Sequence, residues 1–420
     1  MLRGNAQLQI LSAATFINTV GAGMFATSAV LYFTRFAGLS AGQVGIGLTI
    51  AGCCGLLVGV PAGHLADRRG PREVLVALMV LQAITMGCYV LAGSFAEFLV
   101  TACAVMMTMQ AAMAVRSGLL GYLLPESERV AVQAFLRAVT NVGFSLGAPL
   151  AALGILVGSR GAYQALILAN ALSFALAAVL TARLPHVAPQ PRRAGGRRMV
   201  ALRDRPYLAV TALIAVLSLH ASLLDVGIPL WVSSHTDAPT VMVSVIFIGN
   251  CVLVALFSVR FARGSDTVPG AARAAVRGGL LLAAACAVFA ASDGAGAVAA
   301  SVLLIVAAII HVGGEMIQSA SSWGLGYGLA PDHVQGQYQG VASTALALAG
   351  TVGPALMAAV VSAGALGWLV FGALFVGAGC ATVPVAAWAA RNRPDEPDRQ
   401  KVATADQRGF LSEQSLDAGP

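Results

Sequence analysis

Residues 63–72 read GHLADRRGPR: one carboxylate, three arginines, two glycines and a proline, directly after a run from Ala41 to Ala62 that carries no charge. Such a dense charge cluster beside an apolar run of about twenty residues marks a boundary between two solvents, because a helix of that length crosses a hydrocarbon core of about 30 Å. The composition agrees. Of 420 residues, 58% are hydrophobic and only 10% charged, against roughly 25% charged in soluble domains. Spanning backbone must satisfy its own hydrogen bonds, so the segments are read as helices.

Working outward from this cluster, the chain divides into twelve apolar spans at 8–33, 42–62, 72–93, 97–122, 131–157, 162–183, 207–232, 240–261, 271–292, 295–320, 337–361 and 364–389. The expected fold is an all-α membrane protein of twelve transmembrane helices in two six-helix, pseudo-symmetric halves. The halves are 1–184 and 207–390, joined by an arginine-rich linker at 185–206 and followed by a polar tail at 391–420, which is read as disordered. GFSLGAP at 143–149 in span five is echoed by GTVGP at 350–354 in span eleven, which favours an internal repeat. The N-terminus reads as the first span and not as a removable signal. Placing both termini in the cytoplasm puts 21 of the 25 basic residues in segments on that side or in the cytoplasmic ends of spans, with only Arg35 and Arg160 outside and Arg116 and Arg137 set apart as groups within spans. The net charge of +7 therefore reflects topology and anionic inner-leaflet lipid. Nucleic-acid binding is set aside, since arginines interleaved with aromatics are absent. All seven cysteines fall in apolar spans without metal-ligand spacing, so no metal and no cofactor is expected.

Gly63, Leu65, Asp67, Arg68, Gly70 and Arg72, placed between spans two and three, match the loop signature of major facilitator superfamily transporters, which the chain resembles over all twelve spans. The resemblance implies that Asp67 latches the two halves on the cytoplasmic side, against a helix N-terminus of the other half and neighbouring arginines. Gly63 and Gly70 are expected to permit the tight turn, with Pro71 opening span three. Residues 314–340 resemble the tenth span and following loop of bacterial facilitators through Gly314, Glu315, Ala330, Pro331, Gly336 and Tyr338, with Gln335 where the pattern has arginine. RAVTNVGFSLGAP, from Arg137 to Pro149, is similar to the span-five motif of drug-proton antiporters. A span-four arginine accompanies proton coupling in the family, and Arg116 resembles it.

Ionisable groups inside spans are costly and usually face a cavity. Glu315 lies one helical turn after His311, on the same face, and the two could share a proton. Asp225, late in span seven, is the third candidate for proton coupling and equally a candidate outer-gate group. Arg116 and Arg137 either snorkel to the inner interface or contact substrate. With Asn18, Phe25, Asn141 and Gln318 they give a largely apolar pocket suited to a small amphipathic molecule. The reading is a monomeric, multi-pass carrier of the cell inner membrane whose partners are protons, lipid and a small-molecule substrate. It exports an amphipathic compound or drug by proton antiport and alternating access, a multidrug-resistance function. Proton-coupled nutrient uptake and a non-transporting membrane sensor are the alternatives. No nucleophile-base pair or phosphate-binding loop suggests an enzyme.

Overall fold

In the computed structural model, which describes residues 6–189 and 199–392, the chain is helical throughout its described length. The remainder of the linker, 190–198, and the tail from 393 onward lie outside the described residues, so the disorder expected there stands only as an expectation. Seven helices precede the linker: α1 (Ala6–Arg35), α2 (Ala41–Leu56), α3 (Gly59–Arg69), α4 (Pro71–Cys88), α5 (Phe95–Leu123), α6 (Glu126–Val157) and α7 (Arg160–Thr181). Seven follow it: α8 (Arg205–Ser218), α9 (Ile228–His235), α10 (Val241–Phe261), α11 (Val268–Ala291), α12 (Ala297–Gly328), α13 (Gln335–Ser362) and α14 (Gly364–Arg391). Eleven segments are long and apolar enough to cross a membrane, and the pair α2–α3, bent by 44°, makes a twelfth. Large side chains such as Leu57, Leu156 and Val298 point outward from the bundle, as lipid contact requires.

Two spans are interrupted where the sequence suggested continuous helices. The second breaks at Leu57 and Val58 and continues as α3 down to Arg69. The seventh runs from α8 through a π-helical turn, Leu223–Gly227, into α9, and this turn carries Asp225. Such turns place backbone outside the regular ladder and concentrate at functional sites.

Local chemistry fixes the ends. Ser40 with Gln43 and Ser94 with Glu97 form capping boxes that open α2 and α5. Gly70 adopts φ +94° and Pro71 sits in the first turn of α4, so the reversal after α3 rests on this one glycine. Gly63 does not serve the turn, contrary to expectation. It lies within α3, where a Cβ would collide with the carbonyl oxygen of Gly336, so its role is close approach of α3 to α13.

The internal echo has a structural counterpart. Gly143 and Gly147 of α6 oppose the backbone of α1, with Pro149 inside the helix, and Gly353 of α13 opposes Ser222 beside the π turn, with Pro354 inside that helix. Span five thus packs on span one and span eleven on span seven. The contact recurs six spans apart.

Candidate functional site

At the arginine-rich end of the bundle, Asp67 is buried and accepts three hydrogen bonds. Gly336 N and Gln337 N, in the first turn of α13, donate at 2.8 and 3.1 Å, and the Tyr122 hydroxyl donates at 2.8 Å. A carboxylate on free N–H groups at the positive end of a helix dipole is a strong arrangement. Gly118 and Gly336 let α5 and α13 meet there almost backbone to backbone. The arginines behave differently from the expectation. Arg72 donates to Glu73 and to the Leu184 carbonyl within its own half, and no hydrogen bond joins Arg68 to Asp67 among the described residues. The third partner is Tyr122, which the sequence reading did not single out. Gln335 uses its amide to cap the Ala330 carbonyl at 3.1 Å.

A second set of ties lies beside the first. Gln133 Nε2 donates to the Tyr327 hydroxyl at 2.7 Å, and Tyr327 in turn donates to the Ser117 carbonyl at 3.0 Å. Arg129 approaches Asp332 at 3.6 Å, and Ser258 Oγ donates to the Ala134 carbonyl at 2.9 Å.

Near the middle of α12 lies the third set. Glu315 is buried, and Arg137 of α6 donates to it through Nη2 and to Ser319 through Nη1. Asn250 of α10 donates to the other carboxylate oxygen at 2.7 Å. His311 Nδ1 stands 3.9 Å from that oxygen and has no hydrogen-bond partner, while its Nε2 reaches the His220 carbonyl at 3.4 Å. His220 Nε2 donates to Gln318 Oε1 at 3.2 Å, and the two imidazoles cross edge to face at 5.4 Å. Arg137 therefore does not snorkel: it neutralises Glu315 from the other half. One donor atom each of His220, His311 and Glu315 lie within 4.8 Å of one another, a set able to ligate a cation, although the guanidinium on Glu315 opposes one. Asp225 is exposed on its π turn and makes no hydrogen bond or ion pair among the described residues.

Two cavities approach this network. The first, about 230 Å³, lies between the halves, and its lining includes Arg116, Gln133, Arg137, Thr140, Trp323 and Ser343. The second, about 280 Å³, lies within the first half and is lined by Asn18, Gln82, Gln110 and Arg116 among methionines and aliphatics. Of the expected pocket residues, Asn18, Arg116 and Arg137 line these cavities. Phe25 instead stacks on Tyr89 at 5.5 Å, and Gln318 is spent on His220, Ser218 and Ser322. Asn141 donates back to the Arg137 carbonyl at 3.2 Å, which helps set the backbone under the ion pair.

Asn250 and Ser319 were missed. Asn250 carried a signal, being the one amide in the apolar run VMVSVIFIGNCVLVALFSVRF, but attention to ionisable groups alone passes over it.

No curated protein matches the chain at a significant level. Solved structures do. The chain is similar to a bacterial homologue of the iron transporter ferroportin in an outward-facing state, with TM-score 0.70 and 14% identity, covering 91% of this chain and 99% of that one. It is similar to the transporter FucP in the outward conformation, with TM-score 0.69 and 15% identity over 91% and 98% of the two chains. It is also similar to the proton:xylose symporter XylE, with TM-score 0.65 and 14% identity over 93% and 95%. At these identities the likeness is one of fold. The sequence model of the Major Facilitator Superfamily matches residues 11–354, most of the chain. With its twelve-span helical bundle and the ties between its halves, the chain is a multi-span membrane transporter belonging to the Major Facilitator Superfamily.

Proposed function

We propose that this transporter exports a small amphipathic organic compound in exchange for protons, with Glu315 as the coupling carboxylate. One observation carries the reading: deep inside an apolar bundle, Glu315 of α12 is neutralised by Arg137 of α6, a helix of the other half. When the halves rock apart at this level, Arg137 withdraws and Glu315 loses the counter-charge that stabilises its ionised form. Proton affinity thereby depends on conformation, which coupling demands. By linkage, a proton arriving on Glu315 dissolves the tie and favours the state in which the halves have separated there.

With the Asp67 end in the cytoplasm, as the arginine distribution argues, the ties hold the inner side shut and this is the outward-facing state. External protons would load Glu315, return the empty carrier inward and leave to the cytoplasm. His311, one turn away with an unpartnered Nδ1, is the neighbour placed to take part in that transfer, and Asp225 is the candidate acid on the outer side.

Liposomes with an imposed pH gradient test the proposal. Glu315→Gln should abolish uphill transport while leaving substrate binding and downhill exchange measurable. Full gradient-driven transport by the variant would remove Glu315 from the role. Uptake is the second reading, favoured because XylE, a similar fold, is described as a proton symporter. The direction of the proton flux accompanying substrate separates the two.

A further inference from the structure

We propose that the transported molecule bears an acidic group, a carboxylate or its equivalent, and that Arg116 receives it. The inference rests on reading the cavities as the substrate path, and not on the direction of transport.

Arg116 belongs to α5 and is half-buried, with its side chain lining both cavities. Neither cavity is lined by an aspartate or glutamate. Arg116 makes no hydrogen bond and no ion pair among the described residues. The two other arginines of this inner region are provided for: Arg137 by Glu315 and Ser319, Arg129 by the Leu124 carbonyl and Asp332. A guanidinium inside an apolar bundle without a counter-charge is costly, and such charges mark substrate or ion paths. The missing charge is then the cargo's. A planar, five-donor guanidinium suits the two oxygens of a carboxylate.

Two further observations fit. Asn18 Oδ1 and Gln110 Oε1 belong to side chains lining the second cavity and are buried without a donor, so a hydroxyl or amide on the same molecule finds acceptors there. Much of the remaining lining is methionine and aliphatic, which suits an apolar body of variable shape. Arg137 lines the first cavity with Arg116 but is held by Glu315. Once Glu315 lets go, a second guanidinium becomes free to grip the same anion. Affinity for the acid is thus higher when Arg137 is released than in the state seen here. A membrane potential negative inside drives an anion outward.

The full chain in lipid nanodiscs, with benzoate, 4-phenylbutyrate and octanoate, each beside its amide and its primary amine, provides the test. Acids alone should raise the melting temperature of the parent. Arg116→Gln should need at least tenfold more acid for the same shift, Arg116→Lys should keep part of the response, and Glu315→Gln, which frees Arg137, should bind acids several-fold tighter. Without ligand, Arg116→Gln should melt no lower than the parent, whereas an arginine held for packing or anchoring would lower it. The proposal falls if amides or amines stabilise as well as the acids, if none of the acids acts, or if the response survives Arg116→Gln. Arg116-dependent binding of acids without proton-driven transport would leave this inference standing and remove the proton coupling. Proton-driven transport of amines or amides alone would do the reverse.

Discussion

An arginine in the lower part of an apolar helix can bend its stem to the interface or wait for a carboxylate on another helix. Arg137 does the second, and its cost is tied to Glu315. Arg137→Gln alone leaves Glu315 buried without its counter-charge and should destabilise the protein by about 3–5 kcal/mol. The double variant Arg137→Gln with Glu315→Gln should recover most of that loss, since amide faces amide. Thermal unfolding of the four proteins gives the coupling directly, and additive losses would mean the pair is not a unit. At this scale the sequence was half readable. His311 and Glu315 share a face by spacing alone, and that held to 3.9 Å. The stronger partner could not be read, because Arg137 lies 178 residues away and only the docking of two helices from different halves brings it there.

Helix pairs, more than single residues, set how closely the two halves approach. Gly63 and Gly336 allow α3 and α13 to meet with no side chain between them, and a methyl group at Gly336 would run into Asp67 and the Gly63 carbonyl. Gly336→Ala should hold the arginine-rich end ajar, read as a longer and broader distance between spin labels at positions 69 and 333. Asp67→Asn keeps the volume but loses the charge on the α13 N-terminus, so it should give a smaller opening in the same measurement. Unchanged distance distributions in both variants would mean that this contact does not govern closure. The turn at Gly70 was legible from glycine followed by proline, as was the recurrence of a glycine-proline pair in spans five and eleven. The break at Leu57 and the π turn at Leu223–Gly227 were not, because the mean hydropathy stays high across both, although Gly59 and Pro61 beside the first and Asp225, Gly227 and Pro229 at the second mark them.

At the scale of the whole molecule, the twelve spans were readable because lipid restricts the choice to helices of one length, and the membership of a transporter family followed from one short cluster. Cysteine labels placed at 187 and 202 should both react from the cytoplasm in intact cells, and reaction of either from outside would invert the assignment made from the arginines. The ties across the bundle also set a timetable. Asp67 waits for Gly336, 269 residues later, and Arg137 for Glu315, 178 residues later. At about 5–20 residues per second, the first half spends on the order of ten seconds to a minute in the bilayer before those partners are made. During that interval it carries the charge of Arg137 with nothing from the second half to meet it. A first half expressed by itself should therefore be degraded quickly and be rescued by a separately expressed second half, and pulse-chase lifetimes of the fragments, apart and together, would measure how long a newborn transporter can tolerate being half finished.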